Sequence, residues 1–321
     1  MSLSTTHFVE TYHQALNSSL AVRHQNPGIL QLSGSDRLSF LHRMSTNALE
    51  GLHPWSLRST TLTTPLARMI DRLWIVQRED DLLALTSPKR GQIVQSWLNQ
   101  HIFFNDDVQM KALNDEWSLW EMYGPNAAQQ IKENFGVELA TEPDAIAPFN
   151  EGLVMRWSSP KGVRLLLTSP GESLAADRWP LADSQTAAEV FNALRIEAGY
   201  PLFGSEFNED SLPLEAGLQS TIDFHKGCYT GQEIIARMDS RGQLARRLVG
   251  FHLDGPCLPG KLITSSGQQA GELTSCAHSP RLGWIGLGVV KTQFLENGST
   301  FVQAEGGQSA RWLNLPFGIT N

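Results

Sequence analysis

Cysteine is scarce in this chain: three residues, Cys228, Cys257 and Cys276, with no CxxC spacing and an odd count. That excludes a disulfide framework and a multi-thiolate metal site, and it points to a reducing compartment, the cytoplasm. No apolar run approaches the ~18 residues needed to cross a bilayer, and His7, Glu10 and His13 interrupt the apolar residues at the start. Neither a membrane contact nor a signal peptide is therefore expected. Positive charge is in deficit, 25 Lys and Arg against 33 Asp and Glu, and a net charge of −8 repels a phosphate backbone, so no direct nucleic-acid partner is expected. GxGxxG, GxSxG and HExxH are all missing, which removes support for dinucleotide, serine-hydrolase and zinc-protease chemistry. Gly255-Pro-Cys-Leu-Pro-Gly-Lys261 mimics the start of a phosphate-binding loop but fails chemically. Pro256 and Pro259 lack the N–H groups that would face phosphate, and Leu262 stands where a magnesium-binding hydroxyl belongs.

What is present suits a packed globular protein: 41% apolar residues and only 18% charged, over a length that suggests two or three domains or one elaborate one. Phe8, Tyr12, Ala15 and Leu16 recur at helical spacing, and Ile29 to Leu32 reads as a strand after an Asn-Pro-Gly turn. Gly34, Ser35 and Asp36 supply a turn and cap for a helix carrying Leu38, Phe40, Leu41 and Met44. Strands are expected at 73–76, 82–85 and 117–122, with a helix over 89–98. A second helix carries Ala187, Val190, Phe191, Leu194 and Ala198 on its apolar face, a Thr186/Glu189 capping box at its start, and Gly199 and Pro201 at its stop. From about residue 244, short β-type runs at 248–253, 261–264, 272–275, 284–290 and 300–303 alternate with turn residues, the pattern of a small β-barrel or sandwich. The interleaved order predicts an α+β fold with antiparallel layers, not a doubly wound parallel sheet.

Chemistry concentrates in His225-Lys-Gly-Cys228-Tyr-Thr-Gly-Gln-Glu233. Thr230 and Glu233 have capping-box spacing, which puts Cys228 just before a helix start. The positive end of the helix dipole, with Lys226 and His225, would stabilise a thiolate there. Alternatively Cys228 is a small buried residue at a cap, as Cys257 and Cys276 are expected to be in the core. Upstream, Arg195-Ile-Glu197-Ala-Gly199 ends the second helix. A carboxylate at a helix C-terminus is unfavourable unless paired, and two partners suit Glu197: neighbouring Arg195, or the N–H edge of a pterin or guanine ring. Phe191 on the same helix is a core residue or a ring-stacking platform. Arg237, Arg241, Arg246 and Arg247 form a local basic cluster suited to an anionic ligand tail.

Lys226-Gly-Cys-Tyr-Thr-Gly-Gln-Glu233 resembles the KGCYxGQE signature of the YgfZ-type folate-binding proteins, relatives of the glycine cleavage T-protein that support iron–sulfur enzymes. Supporting matches are Gly34-Ser-Asp36, Thr46-Asn47, Tyr123-Gly-Pro125, Arg195-Ile-Glu-Ala-Gly199, Gly271-Glu-Leu-Thr-Ser275 and Ser279-Pro280. The resemblance implies a cloverleaf of two α+β subdomains over 1–243 and a C-terminal barrel over 244–321, around a central tetrahydrofolate channel. It implies that Glu197 grips the pterin, with Arg195, Phe191, Tyr229, Gln232 and Arg241 as further folate contacts. Cys228, with Lys226 and Asp71, would carry any chemistry, and no metal site is expected. The implied partners are a reduced folate and iron–sulfur client proteins, tRNA-modifying enzymes among them, or assembly factors. Two departures argue against aminomethyl transfer. The T-protein's acidic pair is Asp71-Arg72 here, and its Ser-His-Met stretch is absent.

Overall fold

Among the described residues, every pairing between strands is antiparallel, as the interleaved order predicts. The structure, a computed structural model, describes residues 3–157, 162–179, 184–242, 244–295, 299–303 and 306–318. The first half runs α1 (Leu3–Asn17), β1 (Leu20–Arg23), β2 (Gly28–Ser33), α2 (Arg37–Met44), β3 (Ser56–Thr63), β4 (Met69–Gln77), β5 (Leu82–Thr86), α3 (Gly91–Asn99), β6 (Gln109–Ala112) and β7 (Trp117–Tyr123). Then come α4 (Ala127–Phe135), β8 (Ile146–Phe149), β9 (Gly152–Trp157), β10 (Gly162–Thr168), α5 (Ser169–Arg178), α6 (Ser184–Glu197) and α7 (Gln232–Arg241). The remaining strands are β11 (Arg246–Leu253), β12 (Gly260–Ile263), β13 (Gln269–Ser279), β14 (Gly283–Lys291), β15 (Thr300–Gln303) and β16 (Ser309–Leu313).

The chain divides into two compact units. One comprises His13–Ser184 and Ser220–Ile234 and holds two five-stranded sheets, ordered β3-β4-β5-β2-β6 and β1-β7-β10-β9-β8. Facing residues of the two sheets, among them Ile29, Leu83 and Leu85 against Leu119, Leu153 and Leu166, form one core. The opposite face of the first sheet is covered by α2 and α3 through Phe40, Leu41, Val94 and Leu98. The opposite face of the second is covered by α4 and α5 through Ile131 and Ala175. Strand β5 is consequently buried at every position, which is why it reads as an unbroken apolar run.

The other unit comprises Met1–Tyr12, Gln185–Gln219 and Ile235–Asn321. Its centre is a closed six-stranded barrel, β11-β14-β13-β12-β15-β16, filled by Val249, Phe251, Leu262, Leu273 and Phe301. Alternation along β11 sends Val249 and Phe251 inward and Leu248 outward, where it meets Ile285, Leu287, Phe317 and Ile196 of α6. Fully buried Ile196 therefore seats the end of α6 on the barrel wall, a contact worth roughly 1.5–3 kcal/mol. Gly199 then reverses the chain at φ +68, a left-handed conformation open to glycine at little cost.

Two expected caps are built differently. Asp36 stands before α2 but makes no side-chain cap bond, and its carboxylate instead accepts from the Asp107 N–H. Helix α6 begins two residues ahead of Thr186, so Thr186 lies in its first turn, and Glu189 accepts from Gln185.

Candidate functional site

In the barrel unit, the last turn of α6 places two charged side chains on either side of Ile196, and both are buried. They do not pair with each other. Arg195 forks onto Glu206 at 2.9 Å and onto the Ser275 hydroxyl at 2.6 Å, with Asn192 and the Tyr200 carbonyl as further acceptors. Ser275 reaches this network because β13 bulges between Leu273 and Ser275, and the extra residue, Thr274, also donates to Glu206. The Arg195–Glu197 ion pair open to the sequence is thus replaced by Arg195–Glu206, eleven residues apart.

Glu197 is 2% exposed, and its carboxylate is held by three donors. The Tyr12 hydroxyl donates to Oε1 at 2.5 Å and Ser279 to the same oxygen at 2.6 Å, while Arg281 donates to Oε2. Arg281 also donates through Nε to the Tyr12 oxygen at 2.9 Å. Burial and the Glu197 hydrogen bond push the Tyr12 phenol up to about 12, so it remains a donor at neutral pH. Tyr12 and Ser279 are fully buried, whereas the Arg281 side chain is 34% exposed and is the most accessible member of the set. Phe191 is half-buried two turns earlier on α6. Arg246 is exposed, Arg247 stacks on Trp312, and the Arg241 side chain lies outside the described residues.

In the other unit, the 226–233 segment is fastened from three sides. Lys226 is buried, and its ammonium donates to the carbonyls of His42, Ser45 and Asn47 at 2.5, 2.7 and 3.0 Å. The His42 carbonyl lies in the last turn of α2 and those of Ser45 and Asn47 in the segment that follows it, where a cation offsets the helix dipole. Burial pulls Lys226 down to about 8, the three acceptors notwithstanding. Its charge is therefore committed to the end of α2, not to the thiol for which the sequence suggests it. Tyr229 is buried with its ring 5.2 Å from the Lys226 nitrogen, and burial raises its phenol to about 12. Thr63, at the β3 bulge, donates to the Thr230 carbonyl at 2.6 Å. Gly231, at φ +86, packs against the β3–β4 turn so closely that a Cβ would lie 2.8 Å from the Thr64 carbonyl oxygen, which explains the glycine. Gln232 opens α7 and is half-buried. Between these anchors Cys228 is exposed.

Asp71 is fully buried on β4. Its carboxylate accepts from the Ser87 hydroxyl at 2.6 Å, the Ser87 N–H at 2.9 Å and the Arg72 N–H at 2.8 Å. Burial outweighs these bonds and raises its carboxyl to about 6. Arg72 is 5% exposed and lies over the Trp74 ring.

The structure thus groups Glu197, Arg195 and Phe191 in the barrel unit, and Cys228, Lys226, Tyr229 and Asp71 in the two-sheet unit. Sequence reasoning missed Tyr12, Ser279 and Arg281 as partners of Glu197. Tyr12 is masked by the helical apolar spacing of its neighbours, and Arg281 had only its place after Ser279-Pro280 to mark it. Among the described residues no helix is long and apolar enough to cross a membrane, and no group of three or more His, Cys, Asp or Glu residues is arranged to hold a metal ion.

Residues 246–317 match the glycine cleavage T-protein C-terminal barrel domain, which coincides with the six-stranded barrel. A chloroplastic protein of Arabidopsis thaliana named as a transferase is 33% identical over 293 residues, 87% of this chain and 66% of that protein's length. The aminomethyltransferase of Bacillus velezensis is 27% identical over 299 residues, 85% of this chain and 78% of the relative. The crystal structure of glycine cleavage system aminomethyltransferase T from Bartonella henselae superposes with a TM-score of 0.83 at 19% identity, covering 97% of this chain and 89% of that one. The chain therefore has the α+β fold of aminomethyltransferase T, is a distant homologue of the aminomethyltransferases, and ends in a glycine cleavage T-protein C-terminal barrel domain.

Proposed function

We propose that this protein binds a reduced folate through Glu197 and uses Cys228 in the assembly or repair of iron–sulfur clusters in client proteins, tRNA-modifying enzymes among them. The observation that carries the thiol role is the mounting of Cys228. It is exposed on a segment whose neighbours are pinned by Lys226, Thr63 and Gly231, a rigid display of one thiol. A buried cap residue would have the opposite exposure. One cysteine does not hold a cluster, which usually takes four thiolates, so the thiol acts by transient contact or exchange with a client.

Homology to the aminomethyltransferases supports the folate reading, and the chemistry of the cluster around Glu197 fits it on one condition. A carboxylate takes the paired N–H donors of a pterin edge as it takes a guanidinium, so the ligand must replace Arg281. Tyr12 and Ser279 then hold the carboxylate in place from the buried side. A bound reduced folate would supply a nitrogen able to carry a one-carbon unit. Of the further folate contacts expected, Arg195 and Phe191 lie in the barrel unit with Glu197 and are the ones proposed.

The same homology keeps a second reading, folate-dependent aminomethyl transfer with Asp71 as acid or base. Against it stand the complete burial of Asp71 and its three protein donors. The two readings separate in cells and in vitro. Cys228→Ala should lower the activity of iron–sulfur enzymes while leaving the fold intact. The purified protein, given tetrahydrofolate and an aminomethylated lipoyl carrier, should form no methylenetetrahydrofolate. Asp71-dependent turnover would install the transferase reading, and unchanged iron–sulfur activity in Cys228→Ala would leave a folate-binding scaffold.

A further inference from the structure

Cys257 and Cys276, to which the sequence assigns no chemistry, are brought together in the barrel unit. Cys257 lies in the connection between β11 and β12, and Cys276 lies on β13. The Cys276 thiol donates to the Cys257 backbone carbonyl at 2.6 Å, which sets its sulfur directly against the Cys257 residue. Both are half-buried at the margin of the barrel core, and adjacent Leu258 is 77% exposed, so the pair lies near solvent.

We propose that Cys257 and Cys276 form a reversible disulfide that fastens the β11–β12 connection to β13. The oxidant is a low-molecular-weight disulfide such as glutathione disulfide. The Cys276 thiol loses its proton and its sulfur attacks one sulfur of the reagent, expelling a glutathione thiolate. The Cys257 sulfur, deprotonated in turn, attacks Cys276 Sγ in the mixed disulfide and expels the second. Two protein S–H bonds become one S–S bond, and the reagent's S–S bond becomes two thiols.

Burial pushes the Cys257 thiol up to about 12 and raises Cys276 as well. Thiolate is therefore scarce at neutral pH and the reaction is slow there. The same effect withholds from the reduced pair the thiolate stabilisation that makes some disulfides strong oxidants, so the crosslink is durable once formed. Its position also matters. The Cys276 carbonyl accepts from Asn192 of α6, and β13 carries Ser275 and Ser279, which hold Arg195 and Glu197. The bond would stiffen the strand that carries the hydroxyl partners of both Arg195 and Glu197. None of this depends on the proposed function.

The full chain, incubated with glutathione disulfide at about pH 8.5, quenched in acid and digested with trypsin without reduction, gives the test. Tryptic peptides 248–261 and 262–281 each hold one of the two cysteines. The expected result is these peptides joined, an intact protein two hydrogens lighter apart from any glutathione on Cys228, reversal by dithiothreitol, and a higher melting temperature than the reduced form. Recovery of Cys257 and Cys276 as free thiols or separate glutathione adducts, under conditions that modify Cys228, would overturn the proposal. A Cys276→Ser variant should show neither crosslink nor melting shift, and the native arm decides alone if that variant does not fold.

Discussion

Lys226→Met asks whether the lysine of the cysteine segment is an anchor or a reagent. Methionine keeps much of the aliphatic stem but removes the three donors, leaving the His42, Ser45 and Asn47 carbonyls at and just beyond the end of α2 without them. A buried acceptor left unpaired costs about 1–3 kcal/mol. The lower end applies here, because the substitution also removes the burial cost of the ammonium, which shows as its fall from 10.5 to about 8. The expected loss is about 3 kcal/mol, read as a lower urea midpoint at unchanged slope. Cys228 should also lose its fixed display, so proteolysis at 226–233 should accelerate. Stability within about 0.5 kcal/mol of the native protein would refute the anchor argument and return Lys226 to a chemical role.

Two further predictions concern titration. Asp71 rises to about 6 in the folded chain, so the stability it contributes is complete below about pH 4 and is lost as pH rises through 6, about 3 kcal/mol in all. Asp71→Asn does not titrate, and its urea stability should change less across that window by about that amount; identical pH profiles would refute the burial argument. For the thiols, a group at about 12 has a thiolate fraction near 10⁻⁵ at neutral pH, roughly a thousandfold below an ordinary cysteine. Limited iodoacetamide with peptide mapping should therefore label exposed Cys228 well before Cys257, and the reverse order would contradict the described exposure.

The sequence made the barrel legible because β11 to β15 alternate within short runs bounded by Gly, Pro and Ser, and β5 and β7 because they are strongly apolar. Strand β3 was not legible. Ser56–Thr63 looks polar, yet Thr60, Thr61 and Thr63 are buried, with Thr61 bonded to the Thr221 hydroxyl and Thr63 to the Thr230 carbonyl. Local periodicity does not report hydroxyls satisfied by segments 160 residues away. For the site, the helix ending at Glu197 and the glycines around Cys228 were readable from local rules. The partners were not: Arg281 for Glu197, Glu206 for Arg195 and the α2 carbonyls for Lys226 are set by tertiary placement. Cys276 meets Cys257 across nineteen positions for the same reason.

Glu197 is proposed to anchor a reduced folate in exchange for Arg281. Calorimetric titration of tetrahydrofolate into the native protein, Glu197→Gln and Arg281→Ala measures that exchange. A hydrogen bond to a charged group is worth about 1.5–3 kcal/mol, so Glu197→Gln should bind tenfold or more weakly. Arg281→Ala removes the competitor and should bind about tenfold more tightly, with ligand restoring the stability that loss of the Arg281 charge partner costs the free protein. Equal affinity in all three proteins, each folded, would rule out Glu197 as the anchor.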